Sequence, residues 1–220
     1  MKMKQFAIIG MGRFGYSLAT KLYELGYDVL AIDDDEENIK NIAERVTYAV
    51  QADATDINTL KAIGLRNIEV VVVAIATDIN ASLMTTLNAR ELGIKEVFAK
   101  AQNEQHAKVL YKVGADRVFL PERDMGNRVA HNIASNNILD LIELDPNHSI
   151  IEINAIEQWE GKSLADLDLR AKYGINVIAI KRGEKLNISP IAKDEIQKTD
   201  ILVVIGDNNS IAKINNGEID

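Results

Sequence analysis

The sequence predicts an α/β chain in which a doubly wound parallel sheet is followed by a small α+β unit. Over the first 120 residues, short apolar runs alternate with helical patterns in the order βαβαβαβαβαβ. A glycine fingerprint, Gly10-Met11-Gly12-Arg13-Phe14-Gly15, lies between the first run and the first helical pattern. After Pro121 the alternation gives way to a long helical stretch and then to closely spaced strands.

Phe6 to Ile9 reads as the first strand. Phe14, Leu18, Leu22 and Leu25 recur behind it at helical spacing, and Gly26 stops that helix. Val29 to Ile32, Tyr48 to Val50, Val70 to Ile75, Val97 to Ala99 and Val118 to Leu120 are short and apolar, as strands covered on both faces are. Between Asp78 and Leu92, Asp78 is placed to cap a helix, Ile79, Leu83, Leu87 and Glu91 are predicted to trace one face, and Gly93 ends it. A helix is expected from Glu122 to Ile138, then a strand from Leu141 to Leu144 and a turn at Asp145-Pro146-Asn147. The domain boundary is placed at that turn, giving a nucleotide-binding domain over residues 1–143 and a second domain over 144–220. In the second, Ile150 to Ile153, Val177 to Ile180, Leu186 to Ile188 and Ile201 to Ile205 read as strands, with a helix near Lys162 to Leu167. Arg182-Gly183-Glu184-Lys185 separates two of the strands as a hairpin loop.

Composition narrows the function classes. With 47% hydrophobic and 26% charged residues this is ordinary globular material, and no apolar run approaches the roughly 18 residues of a membrane span. A net charge of −8 argues against a broad electrostatic grip on nucleic acid, which clustered Lys and Arg would provide. The lack of cysteine excludes disulfides, thiolate nucleophiles and cysteine-ligated metals. Met1-Lys2-Met3-Lys4 leads into the first strand without a cleavage pattern, so a cytoplasmic location is expected.

The fingerprint assigns three glycines separate tasks: Gly10 for a tight turn, Gly12 for close approach of a phosphate, and Gly15 for packing of helix on sheet. Arg13 adds a permanent cation where helix N-terminal amides already attract anions, so more charge than a diphosphate is expected. Asp33 ends the second strand about 20 residues later, where a carboxylate accepts hydrogen bonds from a ribose and repels a 2′-phosphate. ATP, ADP, AMP and NAD all fit. Asp34-Asp35-Glu36-Glu37 reads as a solvated helix start. Proton-transfer chemistry is not legible: no Tyr is followed four residues later by Lys, and His106, His131 and His148, on a predicted polar helical surface or in the interdomain turn, are read as surface or packing residues with no legible partner. The fingerprint thus suits a sensor better than an enzyme.

Three further stretches, Gln51-Ala52-Asp53-Ala54-Thr55, Leu120-Pro121-Glu122-Arg123-Asp124-Met125-Gly126 and Arg170-Ala171-Lys172-Tyr173-Gly174, together with the loop and Asp33, carry a resemblance over essentially the whole chain. The chain resembles the RCK, or KTN, regulatory subunits of bacterial Ktr-type potassium transport systems. The resemblance implies a Rossmann-type sheet and a C-terminal RCK lobe. It also implies dimers assembled as an octameric ring beneath a membrane-embedded potassium channel subunit, gating flow and catalysing nothing.

By that resemblance Gly10, Met11, Gly12, Phe14 and Gly15 hold the nucleotide together with Ala74, Asp33 holds its ribose, and Asp53, Ala54 and Thr55 flank the adenine. Arg13 would meet the terminal phosphate, in its own or a neighbouring subunit, and so distinguish ATP from ADP. Lys100 is read either as a second phosphate ligand or as a surface lysine ending a strand. Glu122 is read either as a ligand of Mg²⁺ or Ca²⁺ beside the phosphates or as a carboxylate favoured at a helix N-terminus. The second lobe is expected to bind cyclic di-AMP at a dimer interface through Arg170, Ile175, Asn176, Ile178 and Pro190; a solvated Arg170 and isoleucines in strand core are the alternative. Met125, Val129, Ile133 and Ile138 are either core or intersubunit contacts of one helix. An NAD(H)-responsive Trk-type regulator, although many such chains carry two Rossmann units, and an NAD-dependent oxidoreductase are the alternative functions.

Overall fold

The computed structural model describes residues 4–134 and 138–215, with the side chains of His131 and Asn215 outside the description. Two compact units divide the chain between Arg123 and Asp124.

In the first unit the order is β1 (Gln5–Ile9), α1 (Arg13–Glu24), β2 (Asp28–Asp33), α2 (Glu36–Ile42), β3 (Tyr48–Gln51), α3 (Ile57–Ala62), β4 (Val70–Val73), α4 (Ile79–Glu91), β5 (Glu96–Lys100), α5 (Glu104–Val113), β6 (Arg117–Phe119) and the start of α6 (Pro121–Ala134). The strands form one parallel sheet in the order β3-β2-β1-β4-β5-β6. This is the Rossmann order, reversing between β1 and β4, and such reversals open a crevice at the carboxyl ends of the strands. Two apolar layers cover the sheet. Ile9, Ile32, Leu60, Val71, Val73, Val97 and Leu110 belong to one; Ile8, Ala19, Val29, Ala31, Ile42 and Val72 to the other. Successive residues of β1 and β4 enter opposite layers, which is why these strands are apolar throughout.

Helix ends follow the sequence signals. Asp78 Oδ1 accepts the Ala81 N–H at 3.0 Å to cap α4, and Gly26 and Gly93 close α1 and α4 with φ of +87° and +80°. Two faces depart from expectation. Leu25 follows α1 and is exposed. On α4, Ile79 and Leu87 face outward, while Ser82, Thr85, Thr86, Asn88 and Ala89 are buried. Thr86 Oγ1 donates to the Ser82 carbonyl at 2.8 Å and Asn88 reaches loop carbonyls, whereas the buried hydroxyls of Ser82 and Thr85 have no partner among the described residues, so these small side chains turn inward for fit that apolar periodicity does not encode. His106, expected on a polar surface, is buried at the start of α5 and caught by the Gln102 N–H at Nδ1 (3.4 Å). Burial pushes its imidazole below the usual histidine range.

The second unit contains the remainder of α6, then β7 (Ile138–Asp145), β8 (His148–Asn154), α7 (Leu164–Leu167), α8 (Leu169–Tyr173), β9 (Asn176–Arg182), β10 (Lys185–Asn187), β11 (Asp200–Asp207) and α9 (Asn208–Asn215). Its strands form an antiparallel sheet in the order β10-β9-β11-β8-β7. The Asp145-Pro146-Asn147 turn closes the β7–β8 hairpin, and Gly183, with φ +58°, turns β9 into β10. Ile151, Ile153, Trp159, Ile180, Leu202, Val204 and Ile211 form the core. Arg182 pairs with the buried Asp200 through two 2.7 Å hydrogen bonds and with the Glu195 carbonyl at 2.9 Å, which ties the segment before β11 to the sheet. Ile138, expected on the long helix, starts β7 and is part of this core; Met125, Val129 and Ile133 on α6 are exposed, so core packing does not explain them.

Candidate nucleotide site

A cavity of about 810 Å³ opens at the strand-order reversal. Its lining includes Gly10, Gly12, Arg13, Phe14, Asp33, Asp53, Ala54, Thr55, Ala74, Lys100 and Glu122. Residues spread over more than 110 positions are thus brought together by the carboxyl ends of β1, β2, β3, β4 and β5 and the start of α6. The volume lies within the range of small-molecule and cofactor pockets.

Each glycine has a distinct local geometry. Gly10 has φ +96° and donates its N–H to the Ile32 carbonyl at 2.8 Å; a Cβ there would lie 3.0 Å from the Ile75 nitrogen. A Cβ on Gly15 would stand 1.8 Å from the Gly10 carbonyl oxygen, so α1 rests directly on the turn. At Gly12 nothing lies within 4 Å of that position, which leaves the loop open towards the cavity. Gly12 begins α1 without a side-chain cap, and the first turn holds no acidic residue, so helix amides and macrodipole are unopposed. Such a terminus attracts an anion. Met11 and Gly15 support the loop without lining the cavity.

Asp33 is 8% exposed and braces the glycine loop. Its Oδ2 accepts the Met11 N–H at 2.5 Å, while Oδ1 accepts the Asp35 N–H at 2.9 Å and Asn38 Nδ2 at 3.2 Å. A carboxylate offers about four acceptor positions. Three donors therefore leave capacity for a ligand hydroxyl, and the residue both shapes the loop and faces the cavity.

The opposite wall is braced from α4. Asp53 Oδ1 accepts the Thr55 N–H and Oγ1 at 2.8 and 2.6 Å, and buried Asn88 donates to the Thr55 carbonyl at 2.9 Å. Sequence reading missed Asn88; its only signal is an amide inside an otherwise ordinary helix. It also missed Asn38, Ala76, Thr77, Asp78 and Gln102, which line the cavity, as do Asp34 and Asp35, read from sequence only as a solvated helix start.

Arg13, Lys100 and Glu122 bear on one another at the cavity. Lys100 Nζ donates to Glu122 Oε1 at 2.6 Å and lies 5.8 Å from the Phe14 ring centre. Hydrogen bonding to Lys100 holds the Glu122 carboxyl below its usual range, with a further contribution from Arg13. No ion pair holds Arg13 among the described residues. Two cations against one carboxylate favour a phosphate here, whereas Asp33 and Asp53 favour hydroxyls and amines elsewhere in the cavity. Among the described residues no three His, Asp or Glu side chains cluster as a metal site, so a cation at Glu122 would need ligand oxygens as well.

In the second unit, Arg170, Asn176 and Ile178 are exposed, Pro190 is half-buried, and Ile175 is fully buried in the core. A shallow cavity in this unit is lined by Glu160, Gly161, Glu195, Ile196, Gln197, Lys198 and Thr199, none of those five residues.

A Rossmann unit with an uncapped glycine turn and an acidic second-strand end is followed along the chain by an antiparallel lobe, a two-part α/β and α+β architecture. The chain belongs to the TrkA family of RCK-type proteins, matching the TrkA-N domain over residues 6–121 and the TrkA-C domain over 149–216. It is 50% identical over 210 residues to the Ktr system potassium uptake protein C of Bacillus subtilis (strain 168), covering 96% of this chain and 95% of that one. Of solved structures, the GsuK RCK domain superposes with a TM-score of 0.68 at 17% identity, over 98% of this chain and 47% of that one. A structure of GsuK bound to ADP matches 59% of this chain and 33% of that one at 28% identity, with a TM-score of 0.51. The chain thus spans less than half of those solved chains and nearly all of the Bacillus relative. Among the described residues no helix is long and apolar enough to cross a membrane.

Proposed function

We propose that this chain is a cytosolic, non-catalytic subunit that gates a membrane-embedded potassium channel or transporter by sensing adenine nucleotides. The observation that carries this reading is the polarised cavity: an uncapped helix start with Arg13 and Lys100 for phosphates, and Asp33 with spare acceptor capacity for a ribose. The 50% identity to a potassium uptake protein and the ADP complex of GsuK support it. Arg13, exposed and held by no ion pair among the described residues, is assigned to the terminal phosphate. Glu122 would join Mg²⁺ or Ca²⁺ to the phosphates.

Assembly follows from the same reading. The exposed Met125, Val129 and Ile133 on α6 give a second copy an apolar surface, and dimers would build the octameric ring. Arg170, Asn176, Ile178 and Pro190 are the residues of the second domain assigned to cyclic di-AMP across a dimer interface, with Ile175 beneath them.

A calorimetric titration with ATP, ADP, NADH and cyclic di-AMP, repeated on Arg13→Ala, tests the assignment. ATP should lose about tenfold more affinity than ADP, the scale of one charge-assisted hydrogen bond. Equal losses would remove Arg13 from the terminal phosphate, and NADH binding above ATP and ADP would favour the Trk-type alternative.

A further inference from the structure

We infer that Lys100 is an exchangeable latch: without ligand it is held by Glu122 and pins the first turn of α6, and a nucleotide phosphate draws it away. This rests on the proposed nucleotide site and names how that site would report occupancy to α6.

The placement makes Lys100 the hinge of two competing contacts. It is the last residue of β5, its side chain is only 12% exposed, and its ammonium lies 5.8 Å from the ring centre of Phe14 in the glycine loop. Its ammonium therefore has little freedom to follow solvent. Glu122 is 71% exposed, the second residue of α6, and meets Lys100 at 2.6 Å. The same ammonium lines the cavity with Gly12 and Arg13, where the phosphate would enter. A phosphate carries more negative charge than one carboxylate and offers several acceptor oxygens, so the ammonium gains by exchanging partners. Glu122 then loses its partner, and its exposed side chain turns to solvent, where screening leaves little repulsion on the phosphate. A second ion pair, Arg123 with Glu104, holds the next residue of α6 to the start of α5 and does not involve the cavity. The latch is thus local to Glu122, and the helix it holds is the one that continues into the second unit.

The test is ADP binding by calorimetry with a chelator present, so that no divalent cation engages Glu122, on the wild type, Glu122→Gln, Lys100→Met and the double variant. Glu122→Gln should bind ADP about threefold more tightly and Lys100→Met about tenfold more weakly, as expected for an exposed ion pair and a charge-assisted phosphate contact. In the Lys100→Met background the gain from Glu122→Gln should shrink towards one. A gain of the same size there would mean that Glu122 only repels phosphate, and no gain in the wild-type background would mean no competition; either overturns the latch. Hydrogen exchange of the amides of residues 125–128, which bond to the first turn of α6, should speed up on adding ADP to the wild type and be fast already in Glu122→Gln. Unchanged or slower exchange with ADP also overturns it. Failure of the wild type to bind either ADP or ATP would instead defeat the nucleotide reading itself.

Discussion

Replacing Gly12 by alanine should separate binding from stability. Gly12 has φ −63° and ψ −178°, an extended conformation that alanine adopts without strain, and nothing lies within 4 Å of the position its methyl would take. Two small effects on stability oppose each other. Restricting the unfolded chain favours the variant by about 0.4–1 kcal/mol, and alanine is a poorer helix N-cap than glycine by a comparable amount. The unfolding free energy should therefore change by less than about 0.5 kcal/mol. Nucleotide binding has no such cancellation. The methyl would occupy the space between the α1 amides and the phosphate, lengthening hydrogen bonds that count only at about 2.7–3.2 Å. Loss of one of these, at about 1.5–3 kcal/mol to a charged group, gives roughly a 10- to 150-fold weaker ADP affinity. Gly15→Ala is the contrast: its Cβ would be 1.8 Å from the Gly10 carbonyl, so the fold itself must shift, at about 1–3 kcal/mol or more. Urea unfolding without ligand, paired with calorimetric ADP titration, measures both quantities. If Gly12→Ala destabilised the protein as much as Gly15→Ala while binding ADP normally, the loop would not be a phosphate cradle.

Two pH effects follow from buried titratable groups. The imidazole of His106 is held below its usual range by burial, so the unfolded chain binds the extra proton first; its contribution to stability is present above about pH 6.5 and is lost as pH falls through the depressed value. Unfolding curves between pH 7.5 and 5 should show this loss for the wild type and a smaller one for His106→Gln; identical slopes would refute it. Arg182 holds the buried Asp200 carboxyl below its usual range, so that stabilisation is present above about pH 4 and disappears in stronger acid. Asp200→Asn should cost about 1.5–3 kcal/mol at pH 7, the scale of hydrogen bonds to a charged group, and progressively less as pH falls below about 4; a pH-independent cost would point to packing instead.

Much of the glycine turn and cavity lining was legible before any tertiary information, because its requirements are those of the backbone. The turn at Gly10, the helix resting at Gly15 and the open position at Gly12 each depend on the absence of a side chain, and an absence is visible in a sequence. Asp33 was legible for a related reason, since strand length and sheet order fix the distance from loop to second-strand end. Yet its grip on Met11, Asp35 and Asn38 was not, as those hydrogen bonds depend on how the two segments meet.

What the sequence alone determined was the strand–helix alternation, the family and the backbone geometry of the glycine loop, all set by local periodicity and by residues whose role is nearly independent of neighbours. Tertiary structure decided which face of α4 turns inward, that His106 is buried, that Ile138 belongs to a strand, and that Lys100 donates a charge-assisted hydrogen bond to Glu122. Those outcomes come from packing between segments far apart in the chain. A helix face is buried by what fits against it, and a charge finds its partner across the sheet rather than along the sequence.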